Sequence, residues 1–301
     1  MGWLNALPGA IAQGIIWGIM AIGVYITYKV LDIADLTVDG SICTGAAVCT
    51  MLVISGVNVW LAMLAALVAG MAAGLLTGVF HTFMGIPAIL AGILTQLILW
   101  SVNLKILGKA NQALPARNFY VLVTQLKKTQ TLLILAVVSI VLIAVLYWFF
   151  GTELGSSIRS TGCNISMSRA QGINTDFNKI LGLMLSNGIV ALAGALLAQY
   201  QGSADINMGR GAIVIGLAAV IIGEAVFSRI SRNFIVRLLG VICGGIIYYI
   251  VYQTVIFFGL DTDLLKMLSA LVVAFFLAVP YWKGKYISSG RRKGDGGNAG
   301  A

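Results

Sequence analysis

The sequence predicts an all-α fold: a polytopic membrane helical bundle of about nine spans with broken helices. Three observations carry that expectation. Of 301 residues, 59% are hydrophobic and only 10% charged, whereas a soluble domain carries roughly a quarter charged residues. Uncharged stretches of spanning length recur, from Gly9 to Tyr28, Ser41 to Phe80, Thr129 to Thr152 and Ile180 to Ala204. The Lys and Arg residues lie between the apolar runs and at the carboxyl end, so the net charge of +9 follows the positive-inside pattern rather than a nucleic-acid footprint.

A hydrocarbon core about 30 Å thick needs about 20 apolar residues per helix. Cutting the chain at charged residues and at Gly, Pro and Asn clusters gives spans at 10–29, 41–57, 60–80, 86–104, 130–150, 180–199, 212–227, 234–259 and 265–281. The amino end, MGWLNALPGAIAQ, lacks the basic region and cleavage site of a signal peptide and reads as mature sequence. Ala6 stands where a myristoylation site needs Ser or Thr. Cys43, Cys49, Cys163 and Cys243 show no metal-ligand spacing, so neither zinc nor a disulfide is expected.

Two basic clusters set the orientation: Arg229, Arg232 and Arg237, and the tail with Lys283, Lys285, Arg291, Arg292 and Lys293. Both are expected in the cytoplasm. Counting back puts residues 152–179 inside and the amino end outside. The loop with Lys105, Lys109, Arg117, Lys127 and Lys128 then falls outside, against the tendency. Residues 1–283 read as one transmembrane domain, with a Gly-rich, disordered tail over 284–301.

Two segments mix Gly, acids and polar residues between apolar runs. ADLTVDGS, from Ala34 to Ser41, follows the first span, and GSADINMGRG, from Gly202 to Gly211, follows the sixth. They read either as corresponding helix breaks in two halves of inverted topology, bordering a solute route, or as ordinary loops beyond the helix ends. On the first reading Asp35, Thr37, Asp39, Ser41, Asp205 and Asn207 are translocation-path candidates. Small residues cluster at Gly14 and Gly18, at Gly70, Gly74 and Gly78, and at Gly240 and Gly244. Close helix packing inside one subunit is the expected use, a dimer seam the alternative.

His81, the one histidine, reads as a residue of a loop or interface, and Glu224 as the partner of Arg229 and Arg232 at the cytoplasmic rim. Asn164-Ile165-Ser166 matches a glycosylation sequon by chance, on its expected inner side. The most informative stretch runs from Gly151 to Lys179. It is too polar to span and too long for a turn, yet Ile158, Ile165, Met167, Ala170 and Ile173 are spaced for one or two short helices interrupted at Gly162 and Gly172. It reads as a docking region, with a solvated loop as the alternative.

Within that stretch, GSSIRSTGCNISMSRAQGIN resembles the signature of permease subunits of ATP-binding-cassette importers in the branched-chain amino acid and ribose group. Gly155, Arg159, Gly162, Asn164, Arg169, Gly172, Ile173 and Asn174 carry the match. GIIWGIMAIGVYITYKVLDIADLTVDGS resembles the family's first span and the break after it, and IPAILAGILT its fourth-span opening. The wording of DLTVDGS and IPAILAGILT is most similar to permeases associated with aromatic amino acid uptake. Ser160, Cys163 and the pair Gly223-Glu224 depart from the family pattern.

The resemblance implies a type II-like importer permease in the bacterial plasma (inner) membrane, a translocating subunit and not an enzyme. It implies that the coupling region within 152–179 docks on a separate ATPase dimer through Ser157, Arg159, Gly162, Asn164, Arg169, Gly172, Ile173 and Asn174. An extracytoplasmic solute-binding protein and a second permease copy, a homodimer or a paralogue, are the other implied partners. The solute implied is an amino acid, with a sugar second. No Gly-x-x-x-x-Gly-Lys-Ser/Thr phosphate loop occurs in the sequence, so no cofactor is expected on this chain and ATP falls to the partner. An ion-coupled transporter would need intramembrane ionisable groups, which the uncharged runs barely supply. A membrane enzyme would need a catalytic cluster, and one His with two Glu offers little to build one.

Overall fold

A computed structural model describes residues 2–115, 119–227 and 233–257, together with positions 267, 270, 271, 274 and 278. The apolar runs form helices α1 (Gly2–Tyr25), α2 (Val38–Ile54), α3 (Val59–Thr82), α4 (Ala88–Leu107), α5 (Lys128–Gly151), α8 (Thr175–Gln201), α9 (Ala212–Phe227) and α10 (Phe234–Phe257). Between α5 and α8 lie two short helices, α6 (Glu153–Cys163) and α7 (Ile165–Ala170). Two three-residue strands, β1 (Asn111–Ala113) and β2 (Ser203–Asp205), pair antiparallel.

Six of the described helices are long and apolar enough to cross a membrane: α1 with its extension to Val30, α3, α4, α5, α8 and α10. Helices α2 and α9, with 17 and 16 residues, rise only about 25 Å at 1.5 Å per residue. As helices alone they fall short of a bilayer core. The expected span at 265–281 and the tail 284–301 lie almost wholly outside the described residues.

Helix α8 is the axis of the bundle. Its first turn meets α6, where the Asn178 amide donates to the hydroxyls of Ser157 and Thr161 at 2.6 and 2.9 Å. At its other end the Gln199 carbonyl accepts from the Leu122 amide at 3.0 Å, and Gly202 O accepts from Leu114 N–H at 2.8 Å. The long 108–127 connection with β1 and β2 therefore lies at the end of α8 opposite α6 and α7. Lys105, Lys109 and Lys127 go with it, while Arg117 is outside the described residues.

The small residues let helices touch backbone to backbone within the chain. Gly70, Gly74 and Gly78 of α3 lie against Asn187, Leu183 and Ile180 of α8, and Gly14 and Gly18 of α1 against Ile246 and Ile242 of α10. Gly240 and Gly244 sit against Gly223 and Ala219 of α9. Packing inside one subunit thus accounts for all three clusters. A side chain in the middle of such a contact forces the helices apart. Gly74→Ile should lower the melting temperature of the detergent-purified protein by several degrees or abolish its accumulation in membranes. Gly151→Ala, where an added Cβ meets nothing within 4 Å, should melt as the parent in the same fluorescence-detected chromatography assay.

Candidate functional site: two helix starts inside the bundle and a docking hairpin

Helix α1 ends in a π-helical turn, Ile26–Val30, and Asp32 then takes a positive φ of 55°. These two irregularities turn the chain back toward the middle of α8. The extended stretch after them brings Asp35 to Asn187, twelve residues and about 18 Å along α8 at helical rise. Asp35 is 2% exposed. One carboxylate oxygen accepts the Thr37 N–H at 2.9 Å and the other the Asn187 amide at 2.7 Å. Asn187 in turn accepts from the Ser41 hydroxyl at 2.6 Å, and Thr37 Oγ1 lies 2.7 Å from Thr77, which donates to Thr95 at 2.9 Å. Helix α2 therefore starts inside the bundle, its first turn pinned to α8 and, through Thr77 and Thr95, to α3 and α4.

The second break mirrors the first from the opposite end. After β2 the chain runs back along α2: Cys43 Sγ accepts the Gly209 N–H at 3.2 Å and donates to Ile206 O at 3.4 Å. Helix α9 then begins beside the first turn of α2. The two Asp39 oxygens accept the N–H groups of Gly211 and Ile213, both at 2.9 Å. Unpaired amide N–H groups at a helix start are costly away from water, and a carboxylate there also meets the positive end of the helix dipole. From this meeting point α2 runs toward the β end, while α9 runs toward α6, reaching the Glu224–Lys29 ion pair at 3.1 Å. The partner of Glu224 is therefore Lys29. The expected partners Arg229 and Arg232 lie outside the described residues.

The structure brings Asp35, Thr37 and Ser41 into one network and places Asp39 at the start of α9. Asp205 and Asn207 are separate from both. The Asp205 side chain accepts from Asn207 N–H at 2.7 Å and from the Asn111 amide at 3.3 Å, at the exposed β1–β2 pair. Asn187, Thr77 and Thr95, which complete the buried network, escaped sequence reasoning. Inside LMLSNGIVALAG or AAGLLTGVF a lone polar residue carries no signal until the partner helix is known. His81 sits at the α3 end with Nδ1 2.9 Å from Ile86 O, a turn contact.

At the α6 end the signature residues build a compact helical hairpin. Asn164 and Asn174 cap α7 and α8, accepting from the N–H groups of Met167 and Phe177 at 3.0 and 3.1 Å. Arg159 donates to Phe150 O at 2.7 Å, closing the end of α5. Arg169 bridges to Thr175 Oγ1 at 2.9 Å and Asp176 at 3.3 Å. Gly172, with φ of 79°, makes the turn into α8, where Ile173 N–H bonds back to Ser168 O at 3.0 Å. Gly162 packs directly on the Val30 carbonyl, so α6 rests on the π turn of α1. Ile158 is fully buried, whereas Leu154, Ile165, Met167 and Phe177 are exposed at this end. Leu154 and Phe177 were not among the apolar residues singled out from sequence.

Interrupted helices meeting in mid-bundle, above an apolar hairpin at one end, define a multi-pass membrane protein of the transport class. The sequence profile described as "Branched-chain amino acid transport system / permease component" matches residues 7–277, and the chain belongs to that family of permease subunits. It is 40% identical over 276 residues to the "Tyrosine transport system permease protein" of Clostridioides difficile (strain R20291), covering 91% of both chains. It is 32% identical over 277 residues to an uncharacterized protein of Rickettsia prowazekii (strain Madrid E), covering 91% of this chain and 98% of that one. Similarity to the "Autoinducer 2 import system permease protein LsrC" of Escherichia coli (strain K12 / DH10B) is 30% over 185 residues, or 58% of this chain and half of that one. No solved structure matches. The family consists of transport subunits of ATP-binding-cassette systems rather than enzymes.

The polar network makes a sharp demand on stability. Asn187→Leu leaves Asp35 and Ser41 buried without their partner, a defect worth about 3 kcal/mol or more. The expected result is a large drop in melting temperature, partly recovered in an Asp35→Leu/Asn187→Leu double variant. A wild-type melt for the single variant would remove the network from the fold's foundation.

Proposed function

We propose that this chain is the membrane-spanning permease of an ATP-driven importer that carries an amino acid, aromatic by preference, across the bacterial inner membrane. The observation that carries the reading is the α6–α7 hairpin: a rigid, capped unit that exposes Leu154, Ile165 and Met167 and rests through Gly162 on the turn leading to the first break. In this reading the hairpin lies in the cytoplasm and seats on an ATPase dimer, which alone binds ATP, and the permease itself holds no cofactor. The β1–β2 pair and the amino end face outward, toward a solute-binding protein, and the carboxyl end lies inside. Helices α2 and α9, each with the extended stretch before it, and residues 265–281 complete nine crossings. Two copies of the chain enclose the route, and residues 1–283 form the one transmembrane domain.

Closure of the ATPase favours whichever permease state its cleft fits. A displacement of α6 meets the Val30 carbonyl with no gap to absorb it. The motion passes along 31–35 to the start of α2 and, through Asp39, to the start of α9. The tyrosine permease of Clostridioides difficile supports an aromatic amino acid as the solute, because similarity to it extends over nine-tenths of both chains. The autoinducer 2 permease supports a second reading, a polar solute other than an amino acid.

Two measurements test the coupling role. Cys163 is exposed beside the hairpin, so a membrane-impermeant maleimide should label it in inside-out vesicles and not in intact spheroplasts. Gly172→Val places a β-branched residue at a left-handed position and should cut ATP-driven uptake at least about tenfold, about 1.4 kcal/mol or more, with insertion unchanged. Labelling of Cys163 from outside, or full transport by the variant, would reject the docking assignment.

A further inference from the structure

Arg210 lies two residues before α9, next to Gly211, whose N–H Asp39 accepts, and therefore lies near the middle of the bundle. Its side chain is exposed in the single chain, and among the described residues it has no ion-pair or hydrogen-bond partner. A guanidinium at this depth is costly against hydrocarbon and belongs to a water-filled route or a bound anion. Beside it lies a cavity of about 220 Å³, lined by Asp39, Gln96, Trp100, Asn103 and Arg210.

Asn103 makes this cavity a recognition site rather than a gap between helices. It is 1% exposed. Its amide nitrogen reaches Gly40 O at 3.4 Å, but its carbonyl oxygen is buried without any hydrogen-bond partner. Such an orphan acceptor calls for a donor that is not part of the chain. Asp39 accepts the N–H groups of Gly211 and Ile213, and a carboxylate has more lone pairs than those bonds use.

We propose that this cavity binds the α-carboxylate and α-ammonium of an amino acid in transit, the carboxylate on Arg210 and the ammonium on Asn103 Oδ1 and Asp39. The chemistry is selective by charge. A neutral polyol could donate to Asn103 but would leave the guanidinium unpaired, and an amine without a carboxylate would do the same. A zwitterion satisfies both. Arg210 borders two aromatic linings open to the solute's side chain: Trp100 in this cavity, and Trp17, Tyr249 and Tyr252 in a second recess of about 370 Å³. The proposal deepens the importer reading and rests on it for the direction of transport, but not for the binding step.

Equilibrium dialysis of radiolabelled L-tyrosine against the purified full-length permease in detergent tests it. Saturable binding is expected, competed by unlabelled L-tyrosine but not by ribose or by tyramine, which lacks the carboxylate. Arg210→Gln should weaken binding at least about tenfold, the loss of one charge-assisted contact. Arg210→Lys should weaken it less, and Asn103→Leu several-fold. The melting temperature of each variant reports its folding; should Arg210→Gln fail to fold, the competition arms and Arg210→Lys decide. No saturable binding by the wild type, equal competition by ribose or tyramine, or wild-type affinity in a folded Arg210→Gln would overturn the site. Co-purification with an ATPase is scored separately: its absence beside intact, carboxylate-dependent binding would sink the importer reading and leave the site standing.

Discussion

Two helices of this bundle begin part-way along it, away from either end, and the rest of the architecture follows from how their first N–H groups are satisfied. Backbone amides left bare in an apolar interior cost several kcal/mol each. The chain meets the demand with two carboxylates four residues apart. Asp35 accepts the N–H of Thr37 at the start of its own helix, α2. Asp39, on the first turn of α2, accepts two N–H groups at the start of α9. The first contact fixes where α2 begins; the second ties the two breaks together, so that neither start can move far without the other.

Burying Asp35 in turn dictates the surface of α8. Its second oxygen needs a donor, which Asn187 supplies, and Asn187 needs a donor of its own, which Ser41 supplies. That chain of bonds is short enough to form only if backbones approach closely. Gly45 and Gly194 pack directly on Ala191 O and Ile42 O across the α2–α8 contact, and Gly70 on Asn187 O across α3–α8. Small residues and polar residues are thus parts of one device: glycine brings the helices together, and the amide and carboxylate fix their register.

The helices themselves were legible because each apolar run is long and bounded by charge or glycine. The expected span at 212–227 coincides with α9, and others fall within several residues of α1, α3 and α10. The breaks were legible as composition, since ADLTVDGS and GSADINMGRG interrupt apolar sequence. That they converge could not be read. Convergence depends on where each stretch lies along α8, which is a tertiary fact, and the six candidates divide accordingly: Asp35, Thr37 and Ser41 in the network, Asp39 at α9, Asp205 and Asn207 at the β1–β2 pair. The pairing of Glu224 shows the same limit. Arg229 and Arg232 are near in sequence, but the lysine placed 3.1 Å away is Lys29, nearly two hundred residues back. The α6–α7 hairpin was legible in part, because turns are local. Gly172 was read from its surroundings as the interruption it is, but the break between α6 and α7 falls at Asn164 and not at the expected Gly162, which lies inside α6. The capping by Asn164 and Asn174 emerged only from the structure.

A rigid hairpin at one end and a pair of tethered helix starts in the middle make a coherent lever only if the element between them can neither compress nor slip. The connecting segment is short, from Val30 to Asp35, and it is held at both ends: by the Gly162 contact with the Val30 carbonyl and by the Asp35–Asn187 bond. Between these points Leu31 and Ile33 are buried, and Ile33 N–H bonds back to Thr27 O at 2.9 Å. A larger residue at position 162 would collide with the backbone of Val30 and Leu31, so α6 and the π turn could not keep their present approach. The lever ends at the two Asp-capped helix starts and at Arg210 beside them. In the proposed coupling, a push at α6 would therefore be felt beside Arg210, which among the described residues has no side-chain ion-pair partner.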